Sequence, residues 1–176
     1  QLIRAGSDPE LAFYPIVSSG PNSANPHAVP SDRVLKSGDL LVIDWGARYK
    51  GYVSDLTRTF GIGKIQPELE NMVKLVLDAN QAGCKIARPG IKAGMIDKTA
   101  RAIIENGDFG PNFTHRTGHG IGLEAHEPPY IFGENSLILR EGMCFTVEPG
   151  IYLAGQNGAR IEDNIVITID GAKILS

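Results

Sequence analysis

The sequence predicts an α+β fold made of two related halves. The main observation is a gapless internal repeat. Leu35-Lys-Ser-Gly-Asp-Leu-Leu-Val-Ile-Asp-Trp-Gly46 aligns on Leu139-Arg-Glu-Gly-Met-Cys-Phe-Thr-Val-Glu-Pro-Gly150, matching the leucine and both glycines, Lys36 with Arg140, and Asp44 with Glu148. In each half a second acid follows a turn, Asp55 in the first and Glu162 in the second. Two amphipathic helical patterns stand between the two β units, and such runs of strands and helices define an α+β class.

Residues 1–38 read as an irregular entry segment. Leu2 to Gly6 has the form of a last helical turn closed by glycine. Ser18 to His27 is rich in turn formers, with His27 at its end. Leu40 to Ile43 is a continuous apolar run, expected as a strand buried on both faces, and it delivers Asp44. A turn at Tyr49-Lys50-Gly51 leads into a second strand, Tyr52 to Phe60, carrying Asp55. An antiparallel hairpin sets the two aspartates nearly opposite each other. Like charges so placed destabilise a sheet, so a cation is expected between them.

A helix is predicted from Pro67 to Arg88, with Leu69, Met72, Val73, Val76 and Leu77 on its buried face. Pro67 suits a first turn, and Pro89-Gly90 ends the pattern. A second helix is predicted from Ala93 to Asn106, with Ile96, Thr99, Ala100, Ile103 and Ile104 inward and a stop at Gly107. The final β unit runs from Leu139 to Gly150, turns at Gly155 and Gly158, and returns through Arg160-Ile-Glu162-Asp-Asn into a strand Ile165 to Ile169. Glu148 and Glu162 lie symmetrically about that turn. The expected organisation is one domain over 1–176, with a first half 1–66 and a second half 67–176. Because the second half opens with two helices, the repeat places the opening helices of the first half upstream of this sequence.

Bulk properties exclude several classes. The chain has 176 residues, 42% of them hydrophobic and 21% charged, with a formal charge of −3. That is ample for one core, gives no basic footprint for nucleic acid, and includes no apolar run long enough to span a membrane. Two distant cysteines, Cys84 and Cys144, read as free thiols of a reducing cytoplasm, with a disulfide as the alternative.

The chemistry concentrates in His115-Arg-Thr-Gly-His119-Gly-Ile-Gly-Leu-Glu-Ala-His126, which holds three of the chain's four histidines. Histidine is both a metal ligand and an acid–base group near neutral pH. Taken singly, any one of Asp44, Asp55, Glu148 and Glu162 reads as a solvated surface charge. Jointly, symmetric about two turns and joined by His119, they form an oxygen-rich donor set. Such a set suits two divalent ions, Mn²⁺ foremost and Co²⁺, Fe²⁺ or Zn²⁺ as alternatives, and does not suit a thiolate zinc knuckle. Two-metal sites clamp an oxygen nucleophile between ions about 3.5–4 Å apart.

Asp44-Trp-Gly, Ser54-Asp55-Leu-Thr-Arg-Thr-Phe60, the histidine stretch, Thr146-Val-Glu148-Pro-Gly and Arg160-Ile-Glu162-Asp-Asn together resemble the pita-bread dinuclear metallopeptidases, in particular the prolidase and aminopeptidase P branch. His115 and Arg160 favour that branch over the methionine aminopeptidases. Ala125 departs from the usual Val or Ile, a local loss of bulk beside His126. The resemblance implies a curved, mostly antiparallel sheet with helices outside it. It implies that Asp44 chelates one metal, that Asp55 and Glu162 bridge both, and that His119 and Glu148 complete the other. It makes Glu148 the proton acceptor of the attacking water. His126 and His27 would be hydrogen-bond donors to the reacting carbonyl, His115 would face the proline side, and Arg160 would orient Glu162. The implied substrate is a short peptide with proline at its second position, and the implied assembly is a homodimer of the full-length protein. Two further readings share the fold: a non-catalytic peptide-binding module and a metal-free amidinohydrolase of the creatinase type. Both fit poorly with an intact ligand set. Trp45 and Tyr52 read as packing residues, and Asp163 as a structural hydrogen-bonding group.

Overall fold

The computed structural model describes residues 1–176. After a short 3-10 turn at Ile3–Ala5, the first half forms β1 (Ile16–Ser19), β2 (Leu40–Trp45), β3 (Arg48–Tyr49), β4 (Tyr52–Val53) and β5 (Leu56–Gly61). Strands β1, β2 and β5 make an antiparallel sheet with β2 at its centre. The apolar run of β2 is not buried on both faces as expected. Leu40, Val42 and Asp44 are buried, whereas Leu41, Ile43 and Trp45 are half-buried. Their neighbours on that second face, Phe60 and Val17, stay 47% and 44% exposed, because no further layer packs there.

The expected second strand is split. Strands β4 and β5 are separated by Ser54 and Asp55. Lys50 and Gly51, at φ 51° and 84°, form the tight turn between β3 and β4, the positive-φ geometry that hairpin turns require. Pairing of Arg48 with Val53 continues the register that joins Trp45 to Leu56, so one ribbon runs through the break. Asp44 pairs in register with Thr57, and Asp55 stands two residues before Thr57. Residues two apart share a face. The aspartates are therefore diagonal neighbours on the inner side, not directly opposed. Tyr52 is 63% exposed at the ribbon tip, so it is not the packing residue expected.

Helix α1 (Pro67–Ile86) ends two residues before the predicted Arg88. Leu69, Met72 and Val76 are buried as expected, but Leu77 is 38% exposed. The buried stripe runs on through Ala79, Asn80, Gly83 and Cys84, as a 3.6-residue period requires. Helix α2 (Gly94–Asn106) buries Ile96, Ala100 and Ile104, while Thr99 turns outward and donates to the Met95 carbonyl.

Strands β6 (Gly118–Gly120), β7 (Glu127–Ile131), β8 (Cys144–Val147), β9 (Gly150–Leu153), β10 (Asn157–Arg160), β11 (Asp163–Ile167) and β12 (Ala172–Ile174) complete the chain. Five of them form a sheet in the order β12-β11-β8-β6-β7, and every pairing is antiparallel. Strand β11 starts and ends two residues earlier than the predicted Ile165 to Ile169. The helices pack on this side: Cys84, Ile96, Phe145, Val147, Ile165 and Ile167 share one core cluster. A second cluster joins Met72, Val76 and Ile104 to Ile151 and Ala159. The pairing of Val147 with Asp163 and that of Gly150 with Arg160 have one common register. Glu148 and Glu162 fall between them at facing positions, the symmetry anticipated about the turn.

Candidate metal centre

The ribbons lose their regular ladder at Asp55, Glu148 and Glu162, which frees those side chains to converge on Asp44, itself still paired within β2. Asp44, Asp55, His119, Glu148 and Glu162 all line one cavity of about 540 Å³, together with His27, His115, His126 and Arg160. All nine residues expected at the site are thus brought together. Ligand atoms of Asp55, His119 and Glu162 lie within 4.8 Å of one another. His119 Nε2 lies 3.2 Å from Glu148 Oε1 and 3.8 Å from Asp55 Oδ2.

The tautomer of His119 follows from its other nitrogen. Nδ1 is 3.0 Å from the Gly120 carbonyl oxygen, which can only accept, so Nδ1 carries the proton. In the neutral ring Nε2 then points a lone pair at two carboxylates, an arrangement that needs a proton or a cation between them. Three buried carboxylate oxygens, Asp44 Oδ1, Asp55 Oδ1 and Glu162 Oε1, have no hydrogen-bond partner at all. Unpaired buried charge is costly, and these orphaned lone pairs facing one cavity fit divalent cations. This donor chemistry is oxygen with one imidazole, as hard divalent ions prefer.

The electrostatics agree. Burial, reinforced by Asp44 and Glu148, pushes the Asp55 carboxyl up to about 9. Burial and the charges of Glu148, Asp55 and Asp44 likewise raise Glu162 well above the carboxylate range. Burial also acts to raise Glu148, but the proton that the His119–Glu148 contact needs when no cation is bound, with the Arg160 guanidinium beyond, outweighs it and holds this carboxyl at about 2. Glu148 therefore stays an anion while its neighbours retain protons in the absence of a cation.

Around the acids lies a polar frame. Arg160 differs from expectation. Its Nη2 donates to Asp44 Oδ2 at 2.6 Å, not to Glu162. It reaches Glu162 only through Thr57, whose Oγ1 accepts from Arg160 Nε at 3.2 Å and donates to Glu162 Oε2 at 2.6 Å. Tyr152 Oη accepts from Arg160 Nη1 at 3.0 Å and lies 2.9 Å from His115 Nε2. His115 Nδ1 faces the Arg116 carbonyl at 2.7 Å, so Nδ1 donates there and Tyr152 donates to Nε2. Both ring nitrogens of His115 are thus engaged within the protein. Burial holds that imidazole below its ordinary pKa, keeping it neutral.

Thr146 Oγ1 accepts from the His119 amide at 3.1 Å and donates to Glu148 Oε1 at 3.2 Å. His126 packs its ring 4.1 Å from that of His119, and burial, His119 and Arg116 lower its pKa. His27 is exposed. Asp163 pairs with Arg58 at 2.7 Å, the structural role expected of it.

Thr57, Thr146 and Tyr152 were not anticipated as site residues. Period-2 spacing carried the signal, since Thr57 lies two residues after Asp55, Thr146 two before Glu148, and Tyr152 four after it.

A carboxylate–histidine cluster built by two mirrored ribbons has the donor set of a divalent-metal centre. The chain belongs to metallopeptidase family M24, whose description matches residues 1–169. The designation implies divalent metal ions. An Xaa-Pro dipeptidase of Pyrococcus horikoshii is 43% identical over 175 residues, covering 99% of this chain and 50% of that protein. The crystal structure of a dipeptidase from Pyrococcus horikoshii OT3 is 48% identical with a TM-score of 0.95, covering 99% of this chain and 49% of that one. The X-Pro aminopeptidase from Thermotoga maritima MSB8 is 43% identical with a TM-score of 0.94, covering 98% of this chain and 49% of that one. At such likeness the pita-bread architecture is the fold of this chain. The chain spans about half the length of the relatives it matches. None of its helices is long and apolar enough to cross a membrane.

Proposed function

We propose that the chain carries the catalytic centre of a metal-dependent exopeptidase that hydrolyses Xaa-Pro bonds in short peptides. The observation that carries this reading is the set of orphaned buried oxygens on Asp44, Asp55 and Glu162 beside the lone pair of His119. The names of the relatives, Xaa-Pro dipeptidase and X-Pro aminopeptidase, support the substrate class. Asp44, Asp55, His119, Glu148 and Glu162 would hold two divalent ions, Mn²⁺ foremost and Co²⁺, Fe²⁺ or Zn²⁺ as alternatives. Bound ions supply water acidic enough to attack an amide near neutral pH.

The protein's own groups do the rest. Glu148 keeps 15% of its side chain exposed to the cavity, against 3% for His119, so its carboxylate can take the proton of the attacking water. The leaving nitrogen is that of proline, a tertiary amide without an N–H, and Glu148 returns the proton there. His126 and His27 donate N–H groups to the carbonyl oxygen as charge builds on it. Arg160 holds Asp44 directly and Glu162 through Thr57. With its nitrogens engaged, His115 offers the proline ring an imidazole surface beside Phe13 and Ile16, which also line the cavity. For the whole protein we propose a cytoplasmic homodimer. The free state of Cys84 and Cys144 suits a reducing compartment, and sedimentation reads the assembly.

Manganese-loaded protein should release proline from Ala-Pro, lose that activity in EDTA and regain it with Mn²⁺. Glu148→Ala should lower kcat by about 10²–10⁴-fold. Protein that binds metal yet cleaves neither Ala-Pro nor Ala-Pro-Ala would reject the peptidase reading. The ratio of the two rates separates dipeptidase from aminopeptidase.

A further inference from the structure

The buried stripe of α1 carries an amide at one position. Asn80 is 2% exposed and stands among Val76, Ala79, Gly83 and Cys84. Burying an amide in such surroundings is costly unless its donors are used. Both are used: Asn80 Nδ2 donates to the Val147 carbonyl at 2.8 Å and to the Ile161 carbonyl at 3.5 Å. These carbonyls belong to the residues immediately before Glu148 and Glu162. The seat of α1 on β8 is close enough to fix that reach. A Cβ on Gly83, one turn further along the same face, would come within 2.9 Å of Val147 Cγ1.

The two contacts fall where the ladder between β8 and β11 stops. In the common register of the two pairings Pro149 faces Ile161, and proline brings no N–H. No backbone N–H donates to the Ile161 carbonyl, so the Asn80 amide is its donor. The same two peptide units are also held at their other end. The Glu148 N–H donates to the Thr117 carbonyl at 2.7 Å, and the Glu162 N–H to the Thr57 carbonyl at 3.1 Å. A peptide unit is planar. Bonds at both its carbonyl and its N–H therefore fix the tilt of each plane, and with it the direction in which each glutamate side chain leaves the backbone.

We infer that Asn80 is a positioning residue of the metal centre: from α1, one amide holds the peptide units that enter Glu148 and Glu162 and so sets how the two carboxylates face each other. The inference rests on the metal-centre reading above and deepens it. Asn80 does not line the cavity, so it acts through the two acids and touches no substrate. A merely structural amide would tie α1 to the sheet, and its loss would lower stability alone. Loss of a positioning amide also weakens metal binding and slows turnover at saturating metal, with peptide binding unmoved.

The test is calorimetric titration with Mn²⁺ and steady-state cleavage of Ala-Pro, on wild type, Asn80→Leu and Val76→Ala. Leucine keeps the branched shape of asparagine and removes its donors. Asn80→Leu should weaken Mn²⁺ binding about 10- to 100-fold. At saturating Mn²⁺ its kcat should fall about 10- to 100-fold, the cost of a displaced reacting group, while KM stays unmoved. Val76 is fully buried one turn earlier on the same face. Val76→Ala should therefore lower urea-unfolding stability and leave Mn²⁺ affinity and kcat at wild-type values. Asn80→Asp has the shape of asparagine and also lacks the donors. It should show the same two losses, and it serves if Asn80→Leu folds poorly. Wild-type Mn²⁺ affinity in either Asn80 variant overturns the inference, as does an equal loss of affinity in Val76→Ala. A rise in KM with kcat unmoved overturns it too, since that would place Asn80 at peptide binding. The calorimetric arm needs no turnover, so it decides the role of Asn80 even where Ala-Pro is not cleaved. Absence of Mn²⁺ binding by wild type rejects the metal-centre reading, whereas binding that the Asn80 variants leave unchanged rejects only the role of Asn80.

Discussion

Thr57 is fully buried and connects two charged groups that do not touch each other, Arg160 and Glu162. A threonine can do this because one hydroxyl accepts and donates at once. Thr57→Val keeps the shape and removes both bonds, leaving Glu162 Oε2 and Arg160 Nε unpaired in the interior. Groups that orient metal ligands typically contribute 10–100-fold to metal affinity. We expect calorimetric titration of Thr57→Val with Mn²⁺ to show a loss of about that size, and an unchanged affinity would remove Thr57 from the site's frame. Tyr152 plays the corresponding part for His115, fixing its tautomer. Burial pushes the Tyr152 hydroxyl up to about 12, so it remains a donor across the physiological range. The acids and histidines themselves were legible in the sequence because residue type and spacing suffice to nominate ligands. Their hydrogen-bond partners were less so, since threonine and tyrosine are common in strands for other reasons.

Among the elements, the two ribbons matter most, and both work by interruption. A continuous ladder would hold Glu148 directly against Glu162 and keep Asp55 in regular pairing. The breaks let these side chains turn toward a common point. Strand β6 is held equally closely. A Cβ on Gly118 would overlap the Thr146 carbonyl oxygen, so β6 can lie beside β8 only with glycine there. Overpacking typically costs 1–3 kcal/mol. Gly118→Ala should therefore lower urea-unfolding stability by at least about 1–3 kcal/mol, and because His119 is the next residue, metal affinity should fall with it. Stability equal to wild type would show that the approach can relax. The helices and their buried stripes were readable from periodicity. The split of the second strand was not, because Tyr52 to Phe60 is favourable for a strand throughout, and only the tertiary demand on Asp55 breaks it.

Taken whole, the molecule places its donors so that neither half is sufficient. Asp44 and Asp55 come from the first ribbon; His119, Glu148 and Glu162 come from the second half. Cations bound among them would tie the halves together, and a ligand that binds only the folded state stabilises it. At Mn²⁺ about 100-fold above its dissociation constant the gain is about 2.7 kcal/mol, or roughly 5–10 °C in Tm for a chain of this size. Chelation should reverse the shift. A Tm indifferent to both Mn²⁺ and EDTA would argue against a centre shared by the two halves.

By itself the sequence determined the repeat, the two helices and the order of the five candidate ligands, because these depend on local periodicity and on chemistry that residue identity carries. The tertiary structure alone decided which charges meet. Arg160 stands two residues from Glu162 but pairs with Asp44, 116 positions away along the chain. The cause is geometric: residues two apart on a strand share a face and extend in parallel, whereas a residue on the facing ribbon lies directly across the cavity. Proximity along the chain suggested one partner, and the convergence of two mirrored ribbons supplied another.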